Sequence, residues 1–211
     1  MIARSRLAVT LLCLFVAPAV LTGCSKPKTL YPPRVDLARF GTLGMLEFAA
    51  PAGDGLGVLA SREFLASLQR GQPGTPVLEL GDERRVLASL PRDTLDVEAV
   101  RAIGEKHHVD ALVVGVLSAE NLQPNVSFDS ALRWATASAE LEGGLDVRIL
   151  DTQSGATVWS TSTRARAQIA RVDVDASGVS GMGANPPDEA RLRLVRRLVQ
   201  RATWDFWPYW E

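Results

Sequence analysis

The rhythm of apolar positions changes several times along this chain, and each rhythm names an element. Thr42 to Phe48 is dominated by large apolar residues and predicts a short strand. Ala49 to Gly57, with Pro51 and three glycines, predicts the loop behind it. Leu59, Phe64, Leu65 and Leu68 then recur near helical spacing until Gly71 and Pro73 stop the pattern. Val77 to Leu80 predicts a second strand. Asp82 and Glu83 open a short helix through Leu90, their charges facing the positive end of the helix dipole. Another helix is predicted from Asp96 to His108, with Val97, Val100 and Ile103 on one face. Ala111 to Leu117 is apolar without a break, as expected of a strand covered on both faces.

Beyond this point the pattern shifts to Thr, Val and Ala alternating with polar residues. Ser130 to Leu150 and Thr157 to Val174 flank the turn-forming cluster Asp151 to Gly155, which predicts a long antiparallel hairpin. Ala176 to Asn185, rich in Gly and Ser, reads as a loop. Asn185-Pro186-Pro187-Asp188 then supplies an N-cap, a proline at the first helical position and an acid in the first turn. In the helix that follows, Leu192, Leu194, Val195, Leu198, Val199 and Ala202 share one arc, and Arg193, Arg196, Arg197 and Arg201 occupy the other side. The expected architecture is one α+β domain over residues 41–211, a mixed β-sheet with a long antiparallel hairpin and helices packed mainly on one face.

Leu7 to Leu21 is a separate apolar run of 15 residues behind Arg4 and Arg6, interrupted by Pro18. A spanning helix needs about 20 residues, so the run predicts an export signal over residues 1–23. Leu21-Thr22-Gly23-Cys24 resembles the bacterial lipobox. That resemblance implies that Cys24 is lipidated on sulfur and becomes the first residue of the mature chain; the alternative is a chance Cys closing an ordinary signal peptide. The other cysteine, Cys13, lies inside the signal, which leaves no pair for an intramolecular disulfide. Ser25 after the cysteine, by resemblance to enterobacterial sorting, implies the outer membrane. Residues 24–40 contain three prolines and little periodicity, and read as a lipidated, extended tether.

Composition narrows the function classes. At 46% hydrophobic and 22% charged the chain is globular, and 23 basic against 24 acidic residues give a net charge of −1, so no basic field argues for nucleic acid. Gly53-Asp54-Gly55-Leu56-Gly57, with Glu79 ending the next strand, invites a dinucleotide reading, but Val58 stands where the third glycine of the fingerprint is required. No cofactor is expected. His107 and His108 are the only histidines, and neighbouring helical side chains diverge by about 100°; with Glu105 or Asp110 they make at most a weak surface site, so no metal is expected. Gly178-Val179-Ser180-Gly181 is not a nucleophile elbow, and Ser154 sits in the hairpin turn. The paired carboxylates Asp82 with Glu83 and Asp173 with Asp175 have no apolar pocket in their sequence surroundings. No catalytic residue is nominated, and the chain is not expected to be an enzyme.

Five of the 13 aromatic residues, Trp204, Phe206, Trp207, Tyr209 and Trp210, crowd into seven positions. They either pack the preceding helix onto the sheet or offer binding hot spots to a partner. With the exposed arc of that helix, which suits an acidic partner or anionic head groups, Arg193, Arg196, Arg197, Arg201, Trp207 and Trp210 are the candidate partner-binding residues.

The order strand, Gly-rich loop, helix, strand, helix, helix, followed by Val109-Asp110-Ala111-Leu112-Val113-Val114-Gly115-Val116 and by Leu145 to Ser160, resembles a group of bacterial envelope lipoproteins. The group comprises the curli-secretion CsgG family, the penicillin-binding-protein activator LpoB and the N-terminal domain of TolB. The resemblance covers residues 42–117, 145–160 and the closing helix; Trp204 to Trp210 has no counterpart in it. It implies a lipoprotein on the periplasmic face of the outer membrane that binds or scaffolds a periplasmic or outer-membrane protein without catalysis. Two rivals stay open. One is a subunit of a CsgG-like secretion assembly, against which Ala131 to Glu140 carries little bulk for a membrane-crossing strand. The other is a periplasmic enzyme, which a pocket of converging polar groups would revive.

Overall fold

The computed structural model describes residues 28–51, 55–128, 134–175, 178–184 and 186–211. The expected signal segment and Cys24 lie outside the described residues. Two units are distinguished: residues 32–208, and residues 28–31 with 209–211.

In the larger unit, connections decide strand direction. Strand β2 (Leu43–Leu46) leads through helix α1 (Leu56–Gly71) to β3 (Val77–Gly81), and then through α2 (Glu83–Ala88) and α3 (Val97–His107) to β4 (Ala111–Phe128). Because each return crosses over a helix, β2 pairs parallel with both β3 and β4. After β4 the chain folds back directly, through β5 (Trp134–Asp151), β6 (Thr157–Asp175) and β7 (Gly178–Ala184), and every pairing is antiparallel. The sheet order is β3-β2-β4-β5-β6-β7, and α4 (Pro187–Ala202) follows the last strand. This is the expected α+β class, with the β5–β6 hairpin at the expected turn.

Side-chain alternation divides the two faces of the sheet. On one, Leu43, Met45, Val113, Leu117, Val147 and Ile149 are buried beneath α1 (Ala60, Phe64, Leu68) and α4 (Leu194, Val195, Leu198). On the other, Leu46, Leu112, Val114 and Leu150 meet α2 and α3 through Val86, Val100 and Ile103. The two long helices thus share one face, and the two short ones cover the parallel strands on the other. Over β5 and β6 that second face is polar: Asp146, Arg148, Ser162, Arg164 and Arg166 are all exposed. An antiparallel sheet tolerates this, whereas a parallel one is covered twice.

Local chemistry fixes the ends of the elements. Asp96 accepts the Ala99 N–H at 2.7 Å and Asp82 the Arg85 N–H at 3.1 Å, both as N-caps. Pro187 and Asp188 take the first turn of α4 as expected, but the cap residue is Pro186, one place after the expected Asn185, which lies outside the described residues.

Three stretches differ from the sequence reading. Residues 178–184 form β7 rather than a loop, because the β6 backbone offers a ladder that glycine-rich chain can join without side-chain cost. Val97 is 47% exposed, while Ala99, Val100, Ile103 and Gly104 are buried, so the buried face of α3 is rotated away from Val97. Leu37, placed in the tether, is fully buried in the main core. The Gln72 side chain holds that segment, its Oε1 accepting the Leu37 N–H at 2.7 Å and its Nε2 donating to the Val35 carbonyl at 2.6 Å.

In the smaller unit, β1 (Leu30–Tyr31) and β8 (Tyr209–Trp210) form an antiparallel pair, Leu30 opposite Trp210 and Tyr31 opposite Tyr209.

Candidate functional site

Helices α1 and α4 bury their apolar stripes side by side, and their neighbouring polar stripes flank a groove. On α1, Glu63, Ser67 and Arg70 recur at i, i+4 and i+7, one position off the buried Phe64 and Leu68. Across from them stand Arg196, Val199 and Gln200 of α4, and Trp204 and Trp207 close one end of a cavity of about 600 Å³.

The two indoles are held differently. Residues Trp204–Phe206 form a single 3-10 turn that drives Phe206 into the core, its ring 4.7 Å from Trp159 and 6.4 Å edge-on from Phe64. The same turn throws Trp204 outward, leaving it 57% exposed. Trp207 is half-buried, and its Nε1–H donates to Ser67 Oγ at 3.4 Å. Thr203 Oγ1 donates to the Val199 carbonyl at 2.9 Å, so in the buried Ser67–Thr203 pair, 2.7 Å apart, the Ser67 hydroxyl is the donor. A directed chain therefore runs from Trp207 through Ser67 and Thr203 to the helix backbone and fixes one wall of the groove. Its charges are Arg196, paired with Glu63 at 3.2 Å, and Arg70, whose Nε donates to the Ala66 carbonyl at 3.0 Å.

Of the sequence-nominated residues, Arg196 and Trp207 meet here. Arg197 donates to the Arg166 carbonyl at 2.7 Å and Arg201 to the Arg164 carbonyl, so both tie α4 to β6 while their guanidinium groups stay exposed outside the groove. Arg193 lies 3.8 Å from Glu189, and its Nη2 is buried without a hydrogen-bond partner among the described residues. Trp210 belongs to β8 in the smaller unit, and Cys24 lies outside the described residues. Glu63, Ser67, Arg70 and Trp204 are additions; the helical repeat of the first three was the available signal.

The other candidate chemistry falls elsewhere. Beside the glycine loop is a crevice of about 310 Å³ lined by Glu47, Asp82, Glu83 and Arg84, three carboxylates against one guanidinium, a balance that disfavours phosphate. Gly57 is needed there for packing, since a Cβ would stand 2.2 Å from the Phe48 carbonyl oxygen; Gly53 and Asp54 lie outside the described residues. His108 caps α3 in the left-handed region at φ 54°, and the buried His107 Nε2 has no hydrogen-bond partner among the described residues. No group of three metal-binding side chains occurs among the described residues. Gly178–Gly181 lies within β7 rather than at a strand-to-helix turn, and the side chains of Asp173 and Asp175 lie outside the described ones. No described helix is long and apolar enough to cross a membrane.

No family model matches the chain, and no curated protein matches it. Solved structures similar to it include the PelC dodecamer from Paraburkholderia phytofirmans, at 13% identity over 85% of this chain and 96% of that one, with a TM-score of 0.44. Lipoprotein GNA1162 from Neisseria meningitidis is 15% identical over 76% and 96%, with a TM-score of 0.39. The LpoB C-terminal domain from Salmonella enterica is 10% identical over 60% and 82%, with a TM-score of 0.35. Bacterial lipoproteins thus figure among the structures to which this chain is similar, and at these identities no family assignment follows.

Proposed function

We propose that this chain is a lipoprotein held through Cys24 on the periplasmic face of the outer membrane, and that it works without catalysis by docking a segment of another envelope protein in the groove between α1 and α4. The observation that carries this reading is Trp204, a large indole 57% exposed beside the hydrogen-bonded Trp207. Tryptophan and arginine dominate binding hot spots because one side chain supplies both a broad apolar area and a directional donor. Arg70 and Arg196 outnumber Glu63, so the groove suits a segment that sets an apolar side chain next to a carboxylate. The lipobox resemblance of Leu21 to Cys24 supports the anchor, and the resemblance to the CsgG, LpoB and TolB group supports the envelope setting.

Photo-crosslinking in intact envelopes tests the docking site. A photoreactive residue at Gln200, exposed on the α4 wall of the groove, should give a discrete protein adduct that Arg196→Glu weakens. The same residue at Val158, exposed on the polar face of β6, should give none. Equal adduct patterns at the two positions would sink the assignment. The anchor is tested separately: Cys24→Ala should abolish incorporation of labelled palmitate, and persistent labelling would refute lipidation there.

A further inference from the structure

We infer that the paired strands β1 and β8 form a membrane-contacting patch, with Trp210 and Leu30 seated in the head-group region of the bilayer that holds the lipid anchor. This rests on the lipidation of Cys24 proposed above. The pair is only two residues long on each side, bracketed by reciprocal backbone bonds between Thr29 and Glu211 at 3.0 and 3.1 Å. Tyr31 stacks on Tyr209 with ring centroids 5.5 Å apart and planes 18° from parallel. Leu30 and Trp210, which face each other in the register, remain 52% and 63% exposed. So short a ribbon is marginal by itself, and here it displays its largest apolar side chains instead of covering them.

The occupant follows from chain length. Five residues lie between Cys24 and Leu30, and the six steps from one to the other span at most about 20 Å when fully extended. Leu30, and Trp210 through its pairing with it, therefore stay within that reach of the bilayer surface in which the acyl chains are buried. Trp and Tyr favour the head-group region within that reach, where the ring meets hydrocarbon and the N–H or O–H meets water. Lys26 and Lys28 lie in the same stretch, and no acidic residue occurs between Cys24 and Asp36, which suits anionic head groups, with the Glu211 side chain opposing them.

The test uses the full lipidated chain in vesicles of phosphatidylethanolamine and phosphatidylglycerol whose acyl chains carry bromine, a quencher of indole fluorescence. The bromolipid quenching of the wild type should be largely lost in Trp210→Phe, and aqueous acrylamide should quench Trp210 less once vesicles are present. Equal bromolipid quenching of both proteins, or undiminished acrylamide quenching, would overturn the inference alone. Protection from acrylamide without bromolipid quenching would place Trp210 against protein, a second copy included, and would also overturn it. Mass spectrometry separates the two layers of the argument, because an unmodified Cys24 removes the anchor and this inference with it.

Discussion

Gly115 is where the ring of Phe48 lies, and a Cβ there would stand 2.7 Å from two ring carbons. Gly115→Ala should therefore cost about 1–3 kcal/mol through overpacking, read as a lower urea midpoint at unchanged slope; an unaltered midpoint would show that the ring yields freely. Asp151 behaves differently, since its neighbours favour charge. The Ser154 hydroxyl at 2.5 Å and then the Ser154 N–H at 2.7 Å hold its carboxyl below the ordinary carboxylate range. A carboxylate depressed in the folded state adds stability that is complete above its unfolded pKa and is lost as the pH falls through the folded value. Ser154→Ala should move the Asp151 titration partway back up, visible in the side-chain carboxyl carbon shift by NMR, and an unmoved titration would count against the hydroxyl as the main cause. The turn chemistry of Asp151 to Gly155 was legible in the sequence because it is local. The fit of Phe48 over Gly115 was not, because 66 residues lie between the partners and no periodicity records it.

Among the elements, α4 and the turn after it show how far a pattern can be read. The arc of Leu194, Val195, Leu198, Val199 and Ala202 is buried as its spacing predicts; Leu192, at the edge of the arc, is only half-buried, and Ala190 is buried in full. The aromatic cluster could not be sorted in advance, because burial depends on which residue the 3-10 turn directs inward. That residue is Phe206. Phe206→Ala should cost about 3–5 kcal/mol, and at roughly 2–4 °C per kcal/mol for a domain of this size the melting temperature should fall visibly. Trp204→Ala should leave it nearly unchanged while removing the crosslink, and the opposite ranking would exchange the roles given to the two rings. Strand β7 escaped the sequence reading because residues 178–184 carry neither alternation nor bulk; only the β6 ladder makes them a strand. Leu37 escaped because it stands with Val35, Ala38 and Phe40 in a run too short, amid prolines and charges, to declare a period.

At the scale of the whole molecule, the mixed sheet follows from its connections, and those were legible as the order of helical and alternating segments. The groove was not, since it needs α1 and α4, 115 residues apart between their ends, to lie side by side. With three carboxylates at the glycine-loop crevice and His107 and His108 ending a helix, neither zinc nor ATP is expected to raise the melting temperature; a saturable rise, as mass action demands of a ligand that prefers the folded state, would reopen the enzyme reading. Gln72 adds a constraint on when such a chain can finish folding. Besides binding Val35 and Leu37, its Nε2 reaches the Phe206 carbonyl at 3.3 Å, and the Val35 N–H donates to the Asp205 carbonyl at 3.0 Å, so residues from early and late in the chain share one knot. A nascent chain that stops short of residue 206 leaves Phe64 without one of its aromatic partners and Leu37 without its neighbours in the knot. Contacts of such long sequence separation form slowly, because the loop between them must close first. The consequence is a matter of timing: this knot cannot close until nearly all of the polypeptide has been made.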